Sequence, residues 1–160
     1  MQITLTYSDL YGVMERSLSV IGKRSIDEKG NLLFKDITFG SREKELANDY
    51  FRSAIVALAA DLRQFVSLET QSTTAFSITI TLYEDYNDDL DATITQAIKD
   101  YIVAYALYSW FVITAPRIYE KYLAESERYR SYIKEQVFHR QRPATLPDPL
   151  RQRTDPSDNT

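Results

Sequence analysis

Hydrophobic positions recur at helical spacing in four stretches of this chain and alternate strictly in a fifth. Leu10, Met14, Leu18 and Ile21, with Val13 beside them, predict a first helix. It starts near Ser8, a suitable N-cap, with Asp9 in the favourable first turn, and stops at Gly22 or the KRS that follows. IDEKGN is turn chemistry, and LLFKDITFG is an apolar connector whose type the pattern leaves open. A second helix runs from a capping Ser41 to Val66, on a stripe of Leu46, Tyr50, Ala54, Leu58, Leu62 and Phe65 widened by Phe51, Ile55, Ala59 and Val66. Such a face packs against other helices.

SLETQSTTA reads as a polar loop, and FSITITLY as a half-buried strand with Phe76, Ile78, Ile80 and Leu82 on one face. A strand needs a partner, and the candidates are QITLTY at the N-terminus and NLLFKDITF. If neither pairs fully, one edge lies open to another subunit. EDYNDDLD then stacks carboxylates at the N-terminal dipole of a third helix.

That third helix carries YIVAYALYSWFVITAP, in which no residue between Asp100 and Arg117 is charged. As a helix the run covers about 24 Å, short of the roughly 30 Å of a hydrocarbon core, and its Tyr, Ser and Thr hydroxyls suit lipid poorly. A membrane span is excluded on those grounds. Pro116 breaks the helix at residues 114–117, and a fourth helix from Ile118 to about Phe138 returns on Tyr119, Tyr122, Tyr129, Ile133 and Val137. A short connection makes the pair an antiparallel hairpin. The expected fold is mainly α: a four-helix domain over 1–138 with that C-terminal hairpin, one or two β-strands, and an extended Pro/Arg-rich arm over 139–160.

A helix apolar all round has two readings. It is buried on every side within one small domain, or one face fills the domain while another buries against a neighbouring copy. The second is preferred, because a small four-helix unit has little room to cover every side and Tyr and Trp favour interfaces.

Composition changes this picture little. The chain has 160 residues, enough for one ordinary core, with only 4 Gly, as a helical protein prefers, and 12 Tyr. With no Cys there is no disulfide framework or thiolate chemistry, which fits a reducing compartment. MQITLTYSDLYG lacks the charged and apolar regions of a signal peptide. The net charge of −4 disfavours general nucleic-acid binding. Residues 84–100 are strongly acidic, however, and 117–153 carry a basic excess.

Candidate chemistry is sparse. His139, the single histidine, has no evident nucleophile or carboxylate to complete a triad. An EF-hand begun at Asp85 meets Leu90 where Gly is required and Gln96 where Glu is required. Gly12, Gly22, Gly30 and Gly40 are isolated, so no phosphate loop forms. We therefore expect no catalytic residues, no metal and no cofactor, and a protein that works by assembly or interaction. The arm is either a loose terminus or a Pro-stiffened segment able to dock on an acidic neighbour, with Arg140, Arg142, Arg151 and Arg153 interleaved by Leu146, Leu150 and prolines.

The segment ITQAIKDYIVAYALYSWFVITAPRIYEKYLAESERYRSYIKEQVFHRQRP resembles the C-terminal hairpin of head–tail connector proteins of tailed bacteriophages. Those of phages and prophages of gut Bacteroidales, including crAss-like phages, are the ones it resembles. The shared pattern is a Tyr/Trp-rich helix, a short break, a charged helix with spaced Tyr, then RxRP and an arm, over roughly residues 88–143. The resemblance implies a virion structural protein. About a dozen copies would form a homo-oligomeric neck ring below the portal, in contact with adjacent neck or tail proteins, assembled in the host cytoplasm without a membrane. It implies subunit contacts through Tyr101, Tyr105, Tyr108, Trp110, Phe111, Tyr119 and Tyr122, strand contacts through Phe76, Ile78, Ile80 and Leu82, and arm contacts through Arg140, Arg142, Arg151 and Arg153. DNA would pass through the channel without sequence recognition. The rival readings are a soluble helical protein–protein interaction module encoded by a bacterial mobile element, and nucleic-acid binding through the arm.

Overall fold

The computed structural model describes residues 2–24, 40–62, 65–71, 75–80, 91–116 and 118–138. Their elements are β1 (Gln2–Thr6), α1 (Tyr7–Arg24), α2 (Ser41–Asp61), β2 (Val66–Gln71), β3 (Ala75–Ile80), α3 (Asp91–Thr114) and α4 (Tyr119–Phe138). The fold is mainly α with four helices, and α3 and α4 form the expected closely packed hairpin. The IDEKGN turn, the LLFKDITF connector, the acids at 84–90, Leu82, His139 and the whole arm with Arg140, Arg142, Arg151 and Arg153 lie outside the described residues.

The sheet is larger than expected. Three antiparallel strands stand in the order β1-β3-β2, so the alternating strand has a neighbour on either side. Ile3 faces Ile78 and Leu5 faces Phe76 across one edge, while Val66 faces Ile80 across the other. The N-terminal QITLT is thus one partner, as anticipated. The second is VSLETQ, read from sequence as a helix end and a loop. Its ladder slips by one residue between Leu68 and Thr70. A polar segment with so little alternation becomes a strand because β3 offers it a full set of backbone donors and acceptors. Phe76, Ile78 and Ile80 are buried in the chain's own core, so β3 spends both its hydrogen bonds and its apolar face internally.

Two helix starts also shift. Thr6, not Ser8, caps α1: its Oγ1 accepts from the Asp9 N–H at 3.2 Å, the bond an N-cap makes to the third helical residue. Gly40, not Ser41, precedes α2, in extended geometry and with its carbonyl accepting from Lys44 N–H at 3.0 Å. α2 ends at Asp61 rather than Val66, closed by Leu62 N–H on the Leu58 carbonyl at 3.1 Å. Its buried face is Ala47, Phe51, Ala54, Ile55 and Leu58, which leaves Leu46 exposed and Tyr50 half-buried.

One core joins helices and sheet. Tyr7, at the junction of β1 and α1, stacks near Phe51 of α2 (6.4 Å, 21°) and tilts against Phe76 of β3 (5.6 Å). Its hydroxyl accepts from Arg52 Nε at 3.2 Å, so the buried ring keeps its polar tip satisfied. α3 packs against α1, α2 and α4 together, which makes it the central helix. Within α1, Gly12 has open space where a Cβ would stand. Gly12→Ala is expected to add about 0.5–1 kcal/mol by restricting the unfolded chain and favouring helix. A urea midpoint that stays put or falls would contradict the open setting of that residue.

Candidate partner-binding surface

The hairpin is held by an aromatic seam. Ring centroids run Tyr101 to Tyr105 at 6.1 Å, Tyr105 to Tyr108 at 5.9 Å and Tyr108 to Tyr119 at 6.1 Å, and Phe111 stacks on Tyr122 at 5.4 Å and 25°. These spacings suit offset and edge-on aromatic pairing. Tyr101, Phe111 and Tyr122 are buried inside one copy of the chain. As folded, Tyr101 and Phe111 turn into their own core rather than toward a neighbouring subunit, while Tyr122 keeps an edge at the surface. Tyr105, Tyr108, Trp110 and Tyr119 are half-buried and pack against the core with one side outward.

Burial raises the Tyr101 phenol above its ordinary value, with the Arg130 charge pulling the other way. Burial also raises Tyr122, assisted by Glu125. Neither phenol is prepared to lose a proton near neutrality. They are packing groups with a polar tip, not acids.

An ion-pair network ties α2 to α4 beside this seam. Arg130 donates from Nε to one Asp61 oxygen and from a terminal nitrogen to the other at 2.8 Å; its second terminal nitrogen donates to Glu127 Oε1 at 3.2 Å, and Lys134 Nζ lies 3.7 Å from Asp61. The bidentate fork is the strong geometry for a guanidinium and a carboxylate. Hydrogen bonding from Arg130 holds the Asp61 carboxyl below its usual range, against the opposing effect of burial. The same bond raises Arg130 above its already high value. The network positions α4. It holds no group poised for acid–base work.

The seam is not where the molecule is bare. The last turn of α3 is: Val112 is 44% and Ile113 71% exposed, and Thr114 and Pro116 beyond them face solvent. The helix ends there through Ala115 N–H on the Phe111 carbonyl at 2.9 Å, and Ile118 N–H on the Ala115 carbonyl at 3.0 Å turns the chain into α4. Two large aliphatic side chains therefore project at the hairpin's tip. The sequence pattern points to the aromatics instead. The available signal for the aliphatic pair was its position in the final turn before Pro116, where a helix outruns its neighbours.

A groove of about 560 Å³ lies between the second half of α1 and the start of α4. Val20, Ile21, Ile118 and Tyr122 line it, and Lys121 and Glu125, 4.0 Å apart, stand at its rim. Among the described residues no group of three or more His, Asp or Glu is arranged to hold a metal, and no helix is long and apolar enough to cross a membrane. No known family model matches the chain, and no curated protein or solved structure is similar to it.

Proposed function

We propose that this chain is a helical protein–protein interaction module, non-catalytic and encoded by a bacterial mobile element, that docks through the tip of its α3–α4 hairpin. The observation that supports this reading is the pairing of a finished core with a bare aliphatic end. Phe111 is fully covered, yet Val112 and Ile113 beside it are left in water. Fully burying an exposed side chain of this size contributes about 1.5–3 kcal/mol, and Val112, already more than half covered, contributes less than Ile113.

A narrower form of the same reading is the neck ring that joins a phage head to its tail below the portal, with DNA passing through its channel. The tip and the groove favour it. The groove begins at Ile118, next to the tip, and a knob that enters the next copy's groove head to tail makes a heterologous contact; heterologous contacts that close generate rings. Ile113 of one copy seated among Val20, Ile21 and Ile118 of the next would be such a contact. The sequence resemblance over 88–143 points the same way.

Native mass measurement over a range of protein concentrations, with electron microscopy of the same samples, tests both. A ring of about a dozen copies is the expected product for the neck-ring form. A chain that stays monomeric alone but forms a stoichiometric complex with a portal or tail protein supports the module without the self-assembled ring. A monomer that engages neither itself nor such a protein contradicts both.

A further inference from the structure

A second groove, of about 350 Å³, lies away from the hairpin tip, between the first half of α3 and the second half of α4. That volume is within the range of small-molecule sites. Buried Ala97 forms part of the lining, and the half-buried rings of Tyr129 and Tyr132 stand along the α4 side. Two charges of opposite sign flank it from opposite walls, Asp100 on α3 and Arg128 on α4. Among the described residues neither forms an ion pair, with the other or with any third group.

Each charge is nonetheless held in place. Gln96 Nε2 donates to Asp100 Oδ1 at 2.9 Å, which leaves the second carboxylate oxygen to accept from elsewhere. The Arg128 guanidinium lies over the Tyr129 ring, 5.0 Å from its centre, and a stacked guanidinium keeps its N–H edges for an anion. An acid and a base that share a groove without meeting leave a gap between them. A molecule with an ammonium and a carboxylate close together bridges it, the ammonium on Asp100 and the carboxylate on Arg128. Its apolar part then lies on the tyrosine rings and Ala97. A ligand of a single charge sign fits less well, because one wall repels it.

We propose that this groove binds a free α-amino acid with an aromatic or branched apolar side chain. Asp100 takes the ammonium, Arg128 the carboxylate, and Tyr129 and Tyr132 the side chain. The site is separate from the hairpin tip and stands or falls without it.

Ligand-observed saturation-transfer NMR on the full chain, with L-phenylalanine as the probe, tests it. An open groove with two exposed polar contacts should hold the probe with a dissociation constant on the order of 1 mM. Asp100→Asn and Arg128→Gln should each weaken binding about two- to five-fold, the size expected from one exposed ion pair. Removing the matching charge from the ligand should do the same on unaltered protein. N-acetyl-L-phenylalanine, which lacks the ammonium, should bind the wild type more weakly and be indifferent to Asp100→Asn. Phenethylamine, which lacks the carboxylate, should be indifferent to Arg128→Gln. The Val112→Asp/Ile113→Asp double variant should bind L-phenylalanine as the wild type does. No saturation transfer at about ten times the expected constant would overturn the proposal. So would equal binding by the wild type and both charge variants. Binding that weakens as the protein is concentrated would overturn it too, by assigning the groove to a second copy of the chain.

Discussion

Phe111→Ala is expected to cost about 3–5 kcal/mol, the range for removing a fully buried phenyl and leaving its cavity. That is a large share of the roughly 5–15 kcal/mol that holds a domain together. The ring has no exposed surface and stacks on Tyr122, so its loss opens the hairpin seam from both helices. Ile113→Ala, two residues on, is expected to shift stability by no more than about 0.5 kcal/mol, because its side chain is mostly in water. Urea unfolding followed by the single Trp110 reads both. A Phe111 variant that loses under about 1 kcal/mol would mean that the seam is not a core at all.

The second large effect belongs to Asp61. Asp61→Ala leaves Arg130 without its bidentate partner. Breaking one side of a fully buried pair costs about 3–5 kcal/mol. Arg130 keeps 31% of its side chain exposed and Asp61 17%, so water repays part of that. We expect a loss of about 1–3 kcal/mol. The sign of the pH dependence follows from the depressed carboxyl. The folded chain holds the Asp61 proton less tightly than the unfolded chain does, so the stabilisation is complete above the unfolded value of about 3.9. It is lost as pH falls through the lower folded value. Wild-type stability should therefore drop more steeply between neutral and acid pH than that of Asp61→Ala. Parallel profiles would show that the pair contributes nothing to folding.

The sequence carried most of the architecture and little of the surface. Period-2 alternation in FSITIT and period-3.6 stripes in four segments mark β3 and the helices because each of those faces is buried, and burial is what writes a pattern. The strand VSLETQ leaves no such trace, since what makes it a strand is the backbone ladder of β3, a partner that composition does not reveal. The phase of α2 slipped for a related reason. Leu46 and Tyr50 are apolar enough to seem inward, and only the packing of Ala47, Phe51 and Ala54 against their neighbours turns the helix away from them. The uncharged run at 101–116 reads as a helix that wants cover on many sides. How much of that cover its own chain supplies is a property of the assembled bundle: α1, α2 and α4 together enclose Tyr101 through Ala104, Ala106 and Leu107, and reach Phe111. They stop short of Val112 and Ile113.

That shortfall is the centre of the account, and sedimentation of the wild type beside a Val112→Asp/Ile113→Asp double variant measures it most directly. With both samples checked by thermal melting, the variant should stay folded, losing no more than about 1–2 kcal/mol to two carboxylates at a helix C-terminus, while the wild type associates with itself or with a portal protein and the variant with neither. Association that survives both charges, or a wild type that is monomeric at every concentration and in the presence of a portal protein, would contradict it.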